Sequence, residues 1–368
     1  MPRRRVLVLT PDFPPAIGGI QTLVHRLVEG WRHLEPRVVT LAAPGSRQVD
    51  ASLRATVRRA DCGLPCRHDL RLGALSAAAL VEAVRFRPDV VLSAHLVMAP
   101  ASWAISRGGR IPFVQYVHGA EAALRPGLAR AAARRADAVI AVSSYAVGLI
   151  SDSGGAGRCY QIPPGVDIPA ATRTPRAVDP LVVTVARLAV AYKGQDVLIR
   201  ALPLLRARLP HVNLAIVGDG PLRPYYAALA TANGVQAQVH FTGAVPDEGR
   251  DVWFDRAHVF AMPARLDARG GGEGFGIVYL EAGAHGVPVV AGNVAGACDA
   301  VVDGRTGVLV DPADHVAVAE AIGDLLVDQR RARAMGQAGQ IRAREFAWPR
   351  IAERVERVLL DVAERRDG

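Results

Sequence analysis

The amino-acid sequence predicts an α/β protein made of two Rossmann-like, doubly wound domains. Short β-branched runs alternate with helical patterns rich in Ala, Leu and Arg along most of the chain. Continuous apolar strands separated by crossover helices are typical of a parallel sheet covered on both faces. At 368 residues, the chain is also long enough for two domains with separate hydrophobic cores.

The first half of the chain begins this alternation at once, with a buried strand directly after the basic N-terminus. Helical patterns cover residues 21–32 and 74–86. Buried strands are predicted at residues 6–10, 37–41, 90–93, 112–117 and 138–142. We therefore predict a first domain over residues 1–168.

The alternation stops in a proline-rich segment and then starts again. Residues 169–180 have no apolar period and are predicted to be a linker. A second Rossmann-like domain is predicted over residues 181–345, and an amphipathic C-terminal helix over residues 346–368, which could return to the first domain. Strands of the second domain are predicted at residues 181–186, 213–217, 238–241, 259–262, 288–291 and 307–310.

Charge is distributed unevenly along the chain, whose net charge is +9. Up to Pro180 there are 23 arginines against 13 acidic residues, so the positive excess lies in the first half. Such an excess indicates an anionic partner, such as a phosphorylated acceptor or a membrane surface, or else a solvated arginine-rich face. A nucleic-acid binder is disfavoured, because no aromatic residues are interleaved with the arginines.

Lysine is almost absent from the chain: Lys193 is the only one among 44 basic residues. Where arginine has replaced lysine so widely, a surviving lysine is a candidate for chemistry that a planar guanidinium cannot perform.

Neither the cysteines nor the N-terminus indicates export. The N-terminal apolar run is interrupted by Pro11 before a cleavage site, so we expect a cytoplasmic protein with reduced thiols. Cys62 and Cys66 with His68 match no common zinc pattern, and a surface loop is the favoured interpretation. No apolar stretch approaches the roughly 20 residues needed to span a bilayer. No metal and no cofactor are expected.

Two motifs lie where an α/β sheet binds ligands. Gly18 and Gly19 follow the first predicted strand and open a helix, which suits either a phosphate or a tight turn. Arg187 and Lys193 follow the first strand of the second domain, and two cations there could offset a diphosphate. The alternative for this pair is a solvated basic loop.

A glycine-rich segment carries two carboxylates. Glu273 lies in the loop, and Glu281 lies in the helix that follows it. Glycosidases also use paired carboxylates, but the neighbouring helix N-terminus and cationic pair favour a nucleotide-linked sugar.

Together these motifs resemble family 4 of the retaining glycosyltransferases, and within it most closely the bacterial phosphatidylinositol mannosyltransferases. The resemblance covers nearly the whole chain and implies the GT-B fold, in which two Rossmann-like domains face each other across a cleft. It rests on Gly18-Gly19, Arg187, Lys193, residues 217–221 and 241–243, the Glu273-x7-Glu281 element, and residues 286–291 and 303–307.

The resemblance implies an activity: transfer of a mannose- or glucose-type hexose from a nucleotide-diphosphate sugar to a hydroxyl acceptor by a front-face mechanism. It implies that Arg187 and Lys193 bind the diphosphate and that Glu281 binds the ribose hydroxyls. It also places Gly218 among the donor-binding residues. A phosphoinositide or other lipid-linked acceptor and a soluble cyclitol or natural product are both open, and the lipid would bring peripheral contact with the inner face of the membrane.

The resemblance also implies how the transferred sugar is held. Glu273 and the backbone amides of Phe275, Gly276 and Ile277 would bind it, and His118, after a strand of the first domain, would contact it from across the cleft. The implied catalytic set is His118, Arg187, Lys193 and Glu273.

The resemblance implies that Gly18 and Gly19 would approach the donor phosphates. The family commonly has a Gly-Gly-Ala-Pro-Glu-like run after Asn293, whereas residues 294–299 here are Val-Ala-Gly-Ala-Cys-Asp, which leaves the acceptor open. A non-catalytic nucleotide-sugar-binding protein is the alternative from another class.

Overall fold

The computed structural model describes residues 3–61, 68–151, 158–169 and 174–365. It divides the chain into two compact units. The first unit contains Met1–Gly165 and Trp348–Gly368, and the second contains Val166–Ala347. The boundaries expected from sequence, at 168 and 345, lie within three residues of these changes.

The first unit is a parallel sheet with helices on its faces. In the part that the structure describes, the sheet has seven strands in the order β3-β2-β1-β4-β5-β6-β7. Its strands are β1 (Arg4–Leu9), β2 (Leu34–Leu41), β3 (Thr56–Ala60), β4 (Val90–Ser93), β5 (Phe113–Val117), β6 (Ala138–Ala141) and β7 (Cys159–Gln161). Its helices are α1 (Gly19–Gly30), α2 (Ser46–Ser52), α3 (His68–Phe86), α4 (Ala99–Gly109), α5 (Gly119–Leu124), α6 (Pro126–Arg135), α7 (Ser144–Gly148) and α15 (Trp348–Glu364).

The central strands of this sheet form because their residues are apolar on both faces. β4, β5 and β6 are buried along their whole length, as expected where helices cover both sides of a parallel sheet. The edge strand β3 differs, since Thr56 and Arg58 on one face are exposed. Strands β3 and β7 were not predicted from the sequence.

The C-terminal helix α15 belongs to the first unit, as the sequence analysis allowed. Ile351, Val355 and Leu359 on one face of the helix are fully buried in the core of that unit. Glu356 on the same helix is buried as well. Its Oε1 accepts hydrogen bonds from the backbone N–H groups of Arg32, His33 and Leu34, at 2.8, 2.6 and 3.1 Å. One carboxylate thereby satisfies three donors at the start of β2.

The second unit repeats the architecture. Within the described residues its sheet has six parallel strands in the order β10-β9-β8-β11-β12-β13. Its strands are β8 (Leu181–Val185), β9 (Asn213–Val217), β10 (Val239–Gly243), β11 (Val259–Met262), β12 (Val289–Gly292) and β13 (Gly307–Val310). Its helices are α8 (Gln195–Arg208), α9 (Arg223–Ala232), α10 (Asp247–Arg256), α11 (Ile277–Ala284), α12 (Ala297–Ala300), α13 (His315–Val327) and α14 (Gln329–Glu345).

The described part of the proline-rich segment is attached to the second unit. The Thr174 N–H donates to Asp255 Oδ2 at 3.1 Å, and the Ala177 N–H donates to the Arg256 carbonyl at 3.1 Å. Residues 170–173 lie outside the described residues.

Cys159 and Cys298 are free, exposed thiols. Cys62 and Cys66 lie outside the described residues, and so does the side chain of His68. Among the helices that the structure describes, none has both the length and the apolar character needed to cross a bilayer.

Candidate active site

Arg187 lies at the carboxyl end of β8, where ligands bind in open α/β sheets. Its backbone neighbours are fixed to the next strand: the Ala186 N–H donates to the Val217 carbonyl at 3.0 Å and the Leu188 N–H to the Asp219 carbonyl at 2.9 Å. The Arg187 side chain itself is exposed. A well-anchored backbone therefore presents a solvent-facing cation.

Gly218 is responsible for the close approach of these two strand ends. Its φ is +132°, and a Cβ built on it would lie 2.1 Å from the Ala186 carbonyl oxygen. Any side chain would push the Arg187 segment away. The structure therefore gives Gly218 a role in the scaffold, and direct contact with a donor stays a prediction.

Lys193 forms an ion pair with Glu273: its Nζ contacts Glu273 Oε2. Both side chains are largely buried, with 19% and 14% of their surface exposed. Burial by itself would lower the pKa of Lys193, but the Glu273 carboxylate outweighs it, so the pKa is raised overall. Lys193 is thus charged throughout the neutral range, and the structure brings together two of the predicted catalytic residues.

The turn that carries Lys193 is packed tightly on the segment after β11. Gly194 has φ +83°, and a Cβ on it would lie 2.3 Å from the Pro263 carbonyl oxygen. The Arg265 N–H donates to the Tyr192 carbonyl at 2.8 Å. Because the loop bearing Glu273 continues from this segment, both partners of the ion pair share one support.

The loop from Glu273 leads directly into α11. The Glu273 carbonyl accepts a hydrogen bond from the Gly296 N–H at 3.0 Å. Phe275 is buried, and its ring centroid lies 5.8 Å from that of Phe346. Gly276 precedes Ile277, the first residue of the helix. The loop therefore delivers its backbone amides and the N-terminus of α11 beside the Glu273 carboxylate, in a geometry suited to an oxygen-rich ligand.

Glu281, one helical turn further into α11, does not join the Lys193–Glu273 pair. Its Oε1 lies 3.1 Å from Nη2 of Arg250, a residue of α10. Burial raises the pKa of Glu281, and Arg250 opposes that rise. Arg250 was not predicted from the sequence because it carries no motif, and it is identified only by its contact with Glu281.

His118 follows β5 in the first unit and is buried. Its Nε2 lies 3.0 Å from the Ala94 carbonyl oxygen, and its ring stacks on Tyr116 with centroids 5.2 Å apart. A carbonyl can only accept, so Nε2 carries the proton. Burial lowers the pKa of His118, and its ring is therefore neutral at pH 7.

Three further polar residues lie beside His118, and none was assigned a role from the sequence: Asp12, His95 and Glu121. His95 Nδ1 lies 2.9 Å from Glu121 Oε2, and His95 Nε2 lies 3.4 Å from Asp12 Oδ2. Val97 N–H also points at Nδ1, at 3.3 Å, but the shorter carboxylate contact indicates that Nδ1 is a donor. Burial alone would lower the pKa of His95, yet Glu121 and Asp12 raise it overall.

Asp12, His95 and Glu121 line an open pocket of about 450 Å³ in the first unit. Apolar residues including Phe13, Leu41 and Leu124 form part of the wall, and Arg71 and Arg125 contribute cations. Gly18 and Gly19 begin α1 after the same loop that carries Asp12, and space is open beside Gly19. Their predicted contact with donor phosphates stays a prediction, as does sugar contact by His118.

Comparison with known proteins identifies the family. The model of the family described as Glycosyl transferases group 1 matches residues 173–342, and that of Glycosyltransferase Family 4 matches residues 17–169. A protein of Mycolicibacterium smegmatis, named GDP-mannose-dependent alpha-(1-6)-phosphatidylinositol monomannoside mannosyltransferase, is 38% identical over 91% of this chain and 92% of its own length. The chain belongs to glycosyltransferase family 4.

Solved structures agree with this assignment of the fold. Sucrose-phosphate synthase of Thermosynechococcus elongatus superposes with a TM-score of 0.82 at 21% identity, covering 97% of this chain and 98% of that one. HepE of Anabaena, solved with UDP-glucose, gives 0.80 at 22% identity, covering 97% and 99%. The expected glycosyltransferase activity and GT-B fold are confirmed.

Proposed function

We propose that this glycosyltransferase transfers mannose from GDP-mannose to a mannoside of phosphatidylinositol, with retention of the anomeric configuration. The donor and acceptor are those in the name of the M. smegmatis relative. The observation that carries the proposal is the pairing of Lys193 with Glu273 beside the strand end that bears Arg187.

Lys193 and Arg187 are proposed to hold the donor diphosphate. The pKa of Lys193 is raised by Glu273, and an arginine keeps its proton at any working pH, so two permanent cations would face the leaving group. Electrostatic stabilisation of developing charge is commonly the largest contribution to catalysis, and removal of one preorganised donor costs about 10²–10³ in rate.

Glu273 and Glu281 are proposed to bind different parts of the donor. Glu273, next to the N-terminus of α11, would accept from hydroxyls of the sugar together with the amides of Phe275, Gly276 and Ile277. Glu281, within the helix, would accept from the ribose. Their separate partners, Lys193 and Arg250, support this division.

The pocket of the first unit is proposed to bind the acceptor. Asp12 and Glu121 can accept hydrogen bonds from polyol hydroxyls, and Arg71 and Arg125 can bind a phosphodiester. The apolar wall suits the nonpolar face of a cyclitol or sugar ring.

Retention is proposed to follow a front-face route. The bond between the anomeric carbon and the phosphate oxygen breaks, the departing oxygen takes the proton of the acceptor hydroxyl, and the new carbon–oxygen bond forms on the same face. The protein then contributes charge stabilisation and orientation, without a covalent intermediate.

The test is a transfer assay with GDP-, UDP- and dTDP-linked hexoses and phosphatidylinositol monomannoside in vesicles. We expect GDP-mannose to be used, EDTA to have no effect, and NMR of the product to show an α-linkage. A β-linked product would refute retention, and use of UDP-glucose alone would refute the donor. Transfer to free inositol but not to the lipid would favour the soluble cyclitol.

A further inference from the structure

Glu281 lies among other carboxylates. Asp247 and Asp251 on α10 and Asp167 in the segment before β8 all act on it electrostatically. Its own side chain is only 21% exposed. Burial and like charges both disfavour the ionised form of a carboxyl group, so Glu281 needs a cation if it is to act as an acceptor.

Arg250 supplies that cation. Its Nη2 lies 3.1 Å from Glu281 Oε1, and its Nη1 lies 3.3 Å from Asp247 Oδ1. The Arg250 side chain is 29% exposed, and its Nε is buried without a hydrogen-bond partner among the described residues. Its orientation is therefore set by the two carboxylates.

The helix that carries Arg250 is fixed against α11 at a second point. His285, directly after α11, places Nδ1 2.7 Å from Asp255 Oδ1 of α10, and both side chains are buried. The His285 ring also lies 5.4 Å from that of Phe254. The position of Arg250 next to Glu281 is thus supported by a contact that does not involve the donor.

Helix α14, another neighbour of α11, brings backbone rather than charge to the contact. Helix α14 meets α11 where Gly339 lies against Gly283. The charged groups that act on Glu281 are consequently those of α10 and Asp167, and Arg250 is the cation among them.

We propose that Arg250 is a positioning residue for the donor. Its guanidinium holds Glu281 as an oriented carboxylate that can accept hydrogen bonds from the two vicinal ribose hydroxyls. This role rests on the proposed assignment of Glu281 to the ribose. The group recognised is the cis-diol of a ribonucleoside diphosphate, so a 2′-deoxy analogue should lose most of the benefit.

Loss of Arg250 makes nucleotide binding depend on pH. Without the cation, the pKa of Glu281, which burial already raises, rises further. A protonated carboxyl group is a poorer acceptor, so affinity falls as the pH falls through that pKa and returns above it. Arg250 prevents this loss in the wild-type protein.

The experiment is calorimetric titration of GDP into the full chain between pH 6 and pH 9. The variants are Arg250→Gln, Arg250→Lys and Glu281→Gln, with Arg256→Gln as the matched control, because Arg256 is an exposed arginine of the same helix that lies over Trp253. The ratio of each variant's Kd to the wild-type Kd at the same pH cancels the protonation of GDP itself.

We expect Arg250→Gln to weaken binding at least tenfold at pH 6.5 and to approach wild type at pH 9. Arg250→Lys should restore the wild-type profile, and Arg256→Gln should match wild type throughout. Glu281→Gln should be weak at every pH. Equal melting temperatures in buffer exclude an effect on folding.

Two results would overturn the role of Arg250 alone, provided that Glu281→Gln still binds GDP weakly. Arg250→Gln could bind GDP as tightly as wild type, or its loss of affinity could be the same at every pH. Wild-type affinity in Glu281→Gln would instead overturn the assignment of Glu281 to the ribose, and the role of Arg250 with it. A wild-type protein that does not bind GDP would refute the proposed function itself.

Discussion

The two units carry polar clusters of different construction, although their folds are alike. In the second unit, the cluster consists of two ion pairs, Lys193 with Glu273 and Arg250 with Glu281. In the first unit, it is centred on two imidazole rings, one with a raised pKa and one with a lowered pKa. Of the two clusters, the one in the first unit contains the side chains whose ordinary pKa, about 6.5, lies closest to neutral pH.

The different charged groups of the two clusters indicate which unit should bind its ligand in a pH-dependent way. A diphosphate requires cations that persist at all working pH values, and the second unit provides them. An acceptor hydroxyl is neutral and can be bound by groups that titrate. The comparison therefore predicts that donor binding is insensitive to pH in the wild-type protein, whereas the first unit responds to it.

The largest expected effect comes from Lys193 and Arg187, the two cations proposed to hold the diphosphate. Lys193→Ala and Arg187→Ala should each lower turnover at least tenfold, because each removes a charge that stabilises the leaving group. Lys193→Arg should also be impaired. Arg208→Ala, which removes an exposed partner of Asp324, is the control. Wild-type turnover in Lys193→Arg would contradict a special role for lysine.

The two carboxylates of the second unit should separate in their effects. Glu281→Ala should weaken binding of the nucleoside diphosphate by about 1.5–3 kcal/mol, since hydroxyls lose a charged acceptor. Glu273→Ala should mainly lower turnover. Calorimetry with GDP and steady-state kinetics measure the two. If both variants affect binding equally, the proposed division between sugar and ribose is wrong.

The two histidines of the first unit should give opposite pH dependences of stability. Charged His95 stabilises the fold fully below its unfolded pKa of 6.5 and loses this contribution as the pH rises through its higher folded pKa. His95→Gln should therefore cost more stability at pH 5.5 than at pH 8.5.

His118 has a lowered pKa, so its burial becomes unfavourable as the pH falls below 6.5. His118→Gln should therefore cost more at pH 8.5 than at pH 5.5. Urea unfolding at the two pH values measures both variants. If the loss of stability changes with pH in the same direction for both variants, the assigned protonation states are wrong.

The smallest expected effect concerns the basic surface of the first unit. Arg59 is paired with Asp50 at 2.7 Å and does not face solvent freely, whereas Arg54 and Arg58 are exposed. If the surface contacts anionic lipid, Arg54→Ala and Arg58→Ala should each weaken binding by about 1 kcal/mol at low salt.

Vesicle flotation at low and high salt measures this contribution. Arg330→Ala in the second unit is the control. Equal flotation of all variants would mean that Arg54 and Arg58 form an ordinary solvated surface.

In the first unit, the sequence predicted the central strands of the sheet better than its edge strands. Strands β4, β5 and β6 are apolar on both faces and were found from composition alone. Strand β3 was missed because Arg58 and Arg59 interrupt its apolar pattern, and β7 was missed because it has only three residues. The edge strands of the second sheet, β10 and β13, were predicted, so the difficulty lies in short or interrupted apolar runs and not in edge strands as such.

The candidate site shows the same limit. Lys193 and Glu273 were found because their motifs lie at strand ends, and the structure joins them. Arg250 and His95 carry no motif. Each acts through a contact with a residue that is distant in the sequence. Arg250 lies 31 residues before Glu281, and His95 lies 26 residues before Glu121. Only tertiary structure supplies such contacts.

The position of α15 has a consequence for the order in which the chain can fold during synthesis. The second unit, Val166–Ala347, is continuous, but the core of the first unit needs Ile351 and Val355 near the end of the chain. At about 5–20 residues per second, the ribosome takes roughly 10–40 s to add the residues after Gly165. Until α15 is made, the apolar face of α1 against which it packs stays exposed. The first unit is therefore the first to be synthesised and the last to complete its core.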